Sequence, residues 1–297
     1  MKQQIVLGLT LAVIGFVVGL LYPAIGVAQT PDWSDCEKMF GRKGTTQGNV
    51  LKITFPRTDL NVKVGDVQIE PGLALTSWLA FSAMGDRAMV MGDLVLLENE
   101  IASVEKKMIE HNLEISAIHN HIIGEQPKVM YMHVGGEGDL VKLAEGLKSV
   151  LDQTATPRAL QPASSKPVDV NWAIVESTLA RTGKHNGDLL QLSVPRAEKV
   201  TEHGMDITPF MGMATAINIQ MIGEKRAATT GDFVLLAEEV NPVVQALLQH
   251  GITVTAVHSH MLFESPRLFF LHFWGVDDPI GLAKGLKAAL DKTNSSH

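Results

Sequence analysis

Two stretches of the chain carry histidines and a glutamate at one shared spacing. Residues 117–133 and 256–272 both read H-x-H-x3-E-x-P-x5-H, and the second stretch lies 139 residues after the first (119 to 258). The residues that recur in this way are His119, His121, Glu125, His133, His258, His260, Glu264 and His272. Imidazoles and carboxylates are common metal ligands in proteins, so the pattern predicts a metal site in each stretch.

The geometry of these histidines depends on the pairing of a predicted β-hairpin. Side chains alternate between the faces of a strand, so His119 and His121 project from one face, about 7 Å apart. His133 lies on the predicted returning strand. With a turn of odd length at residues 124–128, His119 pairs directly with His133 and all three rings share a face. A two-residue turn would send His133 to the other face.

Three neutral histidines with an open fourth position are typical of catalytic zinc sites. Glu125, and Glu264 in the second stretch, would then be a fourth ligand or a general base that holds a metal-bound water. Histidines combined with one ligating glutamate also suit iron, manganese or copper. The expected cofactor is therefore a divalent metal ion, with zinc as one candidate.

Three classes of function are compatible with this pattern. In the leading hypothesis, the protein has an unknown physiological role and binds metal in each repeat, with a small-molecule ligand as a further partner. In the second, it is a metal-dependent hydrolase or hydratase that uses a metal-bound water, with Glu125 and Glu264 as catalytic bases. In the third, it is a non-catalytic structural or ligand-binding module, and the histidines serve as hydrogen-bond partners.

The segments that must position these residues also occur twice. An offset of 139 aligns the two halves without a gap, so that Trp33 matches Trp172 and Gly65 matches Gly204. Such self-similarity indicates a duplicated domain. We expect a first repeat at 30–154, a linker rich in Pro, Ser and Ala at 155–169, and a second repeat at 170–297. We also expect the two repeats to pack on each other.

Each repeat has the pattern of a mixed fold. β-rich runs lie at 51–55 and 67–83, and two more at 87–91 and 94–97 flank Gly92-Asp93, which predicts a tight hairpin there. A helix is expected at about 100–111, and another begins after Asp139 as N-cap. The prediction is an α+β fold, a tandem duplication of a mostly antiparallel sheet packed with helices on one side.

Four motifs of the first repeat resemble a known family. They are TFPRTD at 54–59, GDLVLL at 92–97, AIHNH at 117–121 and VMYMH at 129–133. Over nearly all of residues 33–293, as two tandem copies, the chain resembles the LppY/LpqO family of exported bacterial proteins. The resemblance implies export and a domain of unknown function, and it assigns no activity.

The N-terminus has the features of an export signal. Lys2 precedes an uncharged apolar run at 5–21, and Gly26 and Ala28 are small residues suited to a cleavage site. We expect a signal peptide at 1–28 and a periplasmic or secreted protein without a membrane span after cleavage. An uncleaved membrane anchor is the alternative.

The composition excludes one class of partner and one kind of cross-link. The net charge is -7 and the chain has no basic tract, which argues against a nucleic-acid partner. Cys36 is the single cysteine, so an intramolecular disulfide is excluded.

Overall fold

The computed structural model describes residues 31–85, 87–159 and 170–296. The predicted signal peptide at 1–28 and residues 160–169 of the predicted linker lie outside the described residues. From Pro31 onward the chain forms one compact unit. In the part of the chain that the structure describes, no helix is long and apolar enough to cross a membrane.

The first repeat combines a large antiparallel sheet, a small sheet and three helices. The helices are α1 (Ser34–Phe40), α2 (Glu98–Glu110) and α3 (Leu140–Leu151). The strands are β1 (Thr45–Gln47), β2 (Val50–Pro56), β3 (Lys63–Val64), β4 (Val67–Gln68), β5 (Thr76–Met84), β6 (Arg87–Leu97), β7 (Glu114–His119), β8 (Glu125–Gln126) and β9 (Val129–Gly138). The large sheet has the order β1-β2-β5-β6-β9-β7, and the small sheet has the order β4-β3-β8.

The second repeat has the same plan. Its helices are α4 (Trp172–Leu179), α5 (Ala237–Gln249) and α6 (Pro279–Leu290). Its strands are β10 (Lys184–Asn186), β11 (Leu189–Pro195), β12 (Val200–Glu202), β13 (Met205–Ile207), β14 (Ala214–Gly223), β15 (Arg226–Leu235), β16 (Thr253–His258), β17 (Glu264–Ser265) and β18 (Phe269–Asp277). The orders β10-β11-β14-β15-β18-β16 and β13-β12-β17 repeat those of the first half, which confirms the predicted duplicated α+β fold.

Each large sheet is apolar on both faces. On β2, Leu51 and Ile53 belong to a buried cluster that includes Leu147 of α3. Val50 points to the opposite face and belongs to a cluster with Phe270 and other residues of the second repeat. The helices therefore cover one face of the sheet, and the other face packs against the other half of the chain.

Polar contacts also join the two halves. Arg226 forms an ion pair with Asp66, with an N–O distance of 2.6 Å. The side-chain amide of Asn218 donates a hydrogen bond to the carbonyl oxygen of Leu73 at 3.0 Å. The face between the two large sheets is thus where residues of both repeats come into direct contact.

Gly92 and Asp93 lie in the middle of β6, so the tight hairpin predicted there is wrong. β6 continues unbroken and forms a hairpin with β5 through Gly85. Gly92 is needed because a Cβ at this position would meet the main-chain oxygen of Trp78 at 2.7 Å. A glycine in a β-rich run marks a close backbone approach as well as a turn, and local sequence does not separate the two.

The two repeats also do not align without a gap. Pro56 on β2 pairs with Thr76, whereas the equivalent Pro195 on β11 pairs with Ala214, an offset of 138 (76 to 214). A bulge in β14 between positions 221 and 223 restores the offset of 139. The second repeat is therefore one residue shorter between β11 and β14 and one residue longer near the next hairpin.

The same shift changes one predicted match. Gly65 is the first residue of the two-residue turn between β3 and β4. His203 is the first residue of the corresponding turn between β12 and β13. Gly65 is therefore equivalent to His203, and its predicted match with Gly204 is wrong.

Candidate metal centre

The strand register puts the first and third histidines of each repeat on one face of its sheet. In the first repeat Ala117 pairs with His133, and His119 pairs with Tyr131. This differs by two residues from the direct pairing of His119 with His133 that we expected, and a shift of two preserves the face. In the second repeat Ala256 pairs with His272, so the same condition is met there.

The connection between the two strands is longer than the predicted turn. β7 ends at His119 and β9 begins at Val129. His121 lies just beyond the end of β7, and Glu125 lies in β8, which pairs with β3 in the small sheet. The loop therefore separates the glutamate from the histidines and places it in another sheet.

Histidine rings of the two repeats stack on one another in pairs. The pairs are His119 with His258 (3.5 Å between ring centroids), His121 with His272 (3.7 Å) and His133 with His260 (3.6 Å). Two aromatic side chains extend the stacks, because Tyr131 lies on His121 at 3.3 Å and Phe270 lies on His260 at 3.4 Å. The six histidines thus form one cluster between the two sheets.

Hydroxyl groups from each repeat position a histidine of the other repeat. Thr255 Oγ1 on β16 donates a hydrogen bond to the carbonyl oxygen of His121 at 2.6 Å. In the equivalent contact, Ser116 Oγ on β7 donates to the carbonyl oxygen of His260. The second histidine of each H-x-H pair is therefore held by the strand that carries the first histidine of the opposite pair.

Two aspartates that the sequence analysis missed also reach this cluster. Asp93 pairs with His133 across β6 and β9, and Asp232 pairs with His272 across β15 and β18. Asp232 Oδ2 lies 3.2 Å from Nε2 of His260. The signal that could have found them is the recurrence of Gly-Asp in both repeats within an otherwise continuous β-rich run.

Main-chain carbonyl groups hold the other ring nitrogen of several histidines. Nδ1 of His272 lies 2.8 Å from the carbonyl oxygen of Gly231, and Nδ1 of His119 and of His258 each lie 3.2 Å from a neighbouring carbonyl oxygen. A carbonyl oxygen only accepts, so Nδ1 carries the proton and Nε2 keeps a free lone pair. This is the tautomer in which an imidazole binds metal through Nε2.

The atoms that point into the cluster form no hydrogen bonds, since the contact between His260 and Asp232 lacks hydrogen-bond geometry. They are Nε2 of His119, His121, His133, His258, His260 and His272, together with Oδ1 of Asp93 and of Asp232, and all are buried. Buried polar atoms without a partner cost about 1–3 kcal/mol each, so a group of eight needs an explanation.

Burial keeps the histidines in the neutral form. It lowers the pKa of His119 to about 3 and that of His258 to about 4. Burial, together with repulsion from neighbouring imidazoles, also lowers the pKa of the other four histidines well below the usual value. Neutral imidazole is the ligating form, so these rings are ready to bind a cation at neutral pH.

Burial has the opposite effect on the two carboxyl groups. It raises the pKa of Asp93 to about 8, although Lys52 acts in the opposite sense. Burial, with repulsion from Asp93, raises the pKa of Asp232 well above its usual value. Both aspartates therefore hold a proton near neutral pH, and a bound cation would favour its release.

The ligand atoms fall into four groups that could hold a metal ion. In each group the atoms lie within 4.8 Å of one another. Two groups combine both repeats (His119, His133, His258 and His260; His119, His121 and His272), and two lie within one repeat (Asp232, His258, His260 and His272; Asp93, His121 and His133). Each group within one repeat includes an aspartate, and the overlapping groups make one connected cluster.

Neither predicted catalytic glutamate belongs to these groups in the described part of the chain. Glu125 accepts a hydrogen bond from the main-chain N–H of Val129 at 3.4 Å, and Glu264 accepts one from that of Leu268 at 3.0 Å. Both carboxylates are buried and stabilise the loop that precedes β9 or β18. Their role as general bases remains a prediction.

The comparison with solved structures gives matches of low identity. PduB, a trimeric bacterial microcompartment shell protein, matches with 12% identity over 84% of this chain and 89% of its own, at a TM-score of 0.21. EtuB from Clostridium kluyveri matches with 10% identity over 84% of this chain and 88% of its own, at a TM-score of 0.20. Scores this low support no conclusion about fold or function.

The comparison with curated proteins gives no match. A family model described as Domain of Unknown Function (DUF1259) matches residues 34–153 and again 173–292. The two matches agree with the expected tandem repeat. The chain therefore belongs to the DUF1259 family and carries two tandem copies of its domain.

Proposed function

We propose that the protein binds transition-metal ions in one composite centre, built by the six histidines together with Asp93 and Asp232. The observation that carries this proposal is the set of eight buried ligand atoms without hydrogen-bond partners. Water or a proton would be the other ways to satisfy them. The low pKa values of the histidines disfavour protonation of the six imidazoles, whereas a cation would accept several of their lone pairs at once. The two aspartates hold a proton near neutral pH and would release it to a bound cation.

The donor set restricts the kind of metal. Imidazole nitrogen suits zinc, copper, iron and nickel, whereas magnesium and calcium prefer oxygen ligands. Six imidazoles exceed the four ligands of a single zinc ion, so the cluster has enough donors for more than one ion. We therefore propose a late transition metal, with zinc and copper as leading candidates.

A binding role has more support than hydrolysis. Glu125 and Glu264 each accept a main-chain hydrogen bond, and neither belongs to a candidate ligand group. A hydrolase or hydratase needs a base that reaches a metal-bound water. The proposal is therefore a protein that holds or carries metal, with a metal-dependent hydrolase or hydratase as the alternative.

The decisive experiment is metal analysis of the purified protein. Wild-type protein is compared with the double variant His119→Ala/His258→Ala, which removes the central stacked pair. The matched control is His111→Ala/His250→Ala, since these histidines also recur in both repeats but lie at the ends of α2 and α5, outside the ligand groups. We expect bound metal in the wild type and control, and a loss of about tenfold or more in affinity in the double variant.

Two results would contradict the proposal. One is the same near-zero metal content in all three proteins after growth with zinc or copper. The other is equal metal binding in the wild type and the double variant.

We also propose that the protein is exported and related to the LppY/LpqO proteins. The apolar run at 5–21, followed by Gly26 and Ala28, supports export, with a periplasmic or secreted location. Mass analysis of the N-terminus of the mature protein tests this. A mature chain that begins at Gln29 is expected, and one that still begins at Met1 would support the uncleaved anchor.

A further inference from the structure

Next to the histidine cluster lies a cavity lined by methionines. Its volume is about 40 Å³, and the stacked rings of His133 and His260 form part of its wall. The methionines that line it are Met89, Met91, Met211, Met213 and Met261. A space of this size holds about three water molecules, or one ion with part of its hydration shell.

The methionines are confined to one side of the pseudo-symmetric molecule. After the one-residue shift between β11 and β14, Met211 and Met213 are equivalent to Leu73 and Leu75. Met89 on β6 pairs with Glu137, and Ala228 on β15 pairs with Val276. Met89 and Ala228 are therefore equivalent positions of the two repeats. The cluster of buried and partly buried residues around the cavity contains Met84, Met89, Met91, Met205, Met211, Met213 and Met261. The equivalent cluster on the other side of the interface contains aliphatic residues with Tyr131 and Trp274, but no methionine.

Packing alone does not require methionine at positions 211 and 213. The same fold positions are filled by leucine in the first repeat, where Leu73 and Leu75 are as fully buried as Met211 and Met213. Leucine and methionine have similar volumes, so either can fill such a site. What methionine adds is a polarisable thioether sulfur, which is a soft metal ligand.

A carboxylate with an unsatisfied oxygen faces the same cavity. Glu202 lines it and is 7% exposed, and its Oε2 is buried without a hydrogen-bond partner. The equivalent residue in the first repeat is Val64, because each is the last residue of its strand before the turn. A buried carboxylate oxygen with no partner can offset the charge of a cation, and the equivalent position on the other side of the interface carries a valine instead.

His203 is a second potential donor beside this carboxylate. It lines the cavity in the left-handed conformation, with φ of 49°, where its equivalent in the first repeat is Gly65. Its side chain is exposed, and the ring also packs against Phe263, with 4.8 Å between the ring centroids.

We propose that the methionine-lined cavity binds Cu(I) and is the side from which the histidine centre takes up copper. This inference rests on the proposed function, since it supplies the metal for the same centre. Thioether sulfur selects Cu(I) over zinc, and imidazole accepts copper in either oxidation state. His133 and His260 belong both to the cavity wall and to one of the ligand groups, so an ion in the cavity is next to the centre.

The test compares Cu(I) and Zn(II) binding in matched proteins. Cu(I) is supplied without oxygen as its bicinchoninate complex, and Zn(II) binding is measured by equilibrium dialysis. The variant Met211→Leu/Met213→Leu reproduces the leucines of the other side. The control, Met108→Leu, changes a buried methionine of α2 outside the cavity. We expect the double variant to bind the Cu(I) ion of the cavity about tenfold more weakly or worse, while Cu(I) and Zn(II) binding at the histidine centre is unchanged and the control behaves as the wild type.

The outcomes separate this inference from the proposed function. Cu(I) affinity in the double variant within about twofold of the wild type would overturn the inference, because leucine would then serve as well as methionine. An equal loss of Zn(II) and Cu(I) in the double variant would also overturn it, since the methionines would then act through packing. A wild-type protein that binds neither cation would refute the proposed function itself.

Discussion

Acidification should destabilise the metal-free protein, because its histidines are buried in the neutral form. A histidine whose folded pKa is lowered takes up a proton in the unfolded chain at a pH where the folded protein does not. The folded state is therefore disfavoured as the pH falls below the unfolded value of about 6.5. A bound metal ion would act against this, because protonation would first have to displace it.

The magnitude follows from the pKa values. With folded pKa values of about 3 for His119 and about 4 for His258, each ring costs about 2 kcal/mol at pH 5. The other four histidines act in the same direction. Asp93 acts in the opposite direction: its raised pKa of about 8 destabilises the folded state at pH 7.5, and acidification to pH 5 restores about 3 kcal/mol. Asp232 acts like Asp93.

Two rings at about 2 kcal/mol each, against about 3 kcal/mol for Asp93, give a net loss of about 1 kcal/mol between pH 7.5 and pH 5. The four other histidines, which outnumber Asp232, increase this loss. For a chain of this size the melting temperature should therefore fall by at least about 2–4 °C. The assay is thermal unfolding of chelator-treated protein at both pH values. In the variant His119→Leu/His258→Leu the loss on acidification should shrink by about 4 kcal/mol. A wild-type melting temperature that is unchanged or higher at pH 5, or a variant with the full wild-type loss, would refute the reasoning.

Three further predictions concern single positions. Asp232→Asn removes a carboxylate beside the histidines and should weaken metal binding by about 10–100-fold in a chelator competition assay; equal affinity would exclude the aspartate from the centre. Gly231→Ala should destabilise the protein by about 1–3 kcal/mol or more in chemical unfolding, because the new Cβ would lie 2.0 Å from a main-chain oxygen of β14. The control is Gly281→Ala in α6, where a Cβ has room. Arg57→Met should cost about 3–5 kcal/mol by the same measurement, since it leaves the buried carboxylate of Glu100 without its partner at 2.8 Å; a cost below about 1 kcal/mol would show that the pair is unimportant.

The fold class could be predicted because its determinants are local. Asp139 illustrates this: a capping residue before an apolar helical pattern predicts a helix start, and its Oδ1 accepts a hydrogen bond from the main-chain N–H of Lys142. The recurrence of whole motifs at one offset gave the duplication directly. The one-residue shift around Thr76 and Ala214 was missed, because a compensated shift leaves the matches on both sides intact.

The composite nature of the site could not be predicted from local patterns. Alternation along a strand places His119 and His133 on one face, and the register bears this out. Which rings meet across the interface depends on how two sheets pack, and no spacing within one repeat encodes that. Asp93 was missed for a different reason. Gly-Asp in a β-rich run is compatible with a hairpin turn or with a glycine inside a continuous strand, and the turn was predicted.

The stacking of rings from opposite repeats has a consequence for any chain with a single copy of this domain. Such a chain could complete the cluster only as a two-fold symmetric dimer, in which the same surface of both subunits meets. Joining the halves in one polypeptide replaces that concentration-dependent encounter by a high local concentration. It also frees the two halves to diverge, because identical subunits cannot place methionine on one side of the axis and leucine on the other. Asymmetry at Met211 and Leu73 is therefore something that only the duplicated chain can have.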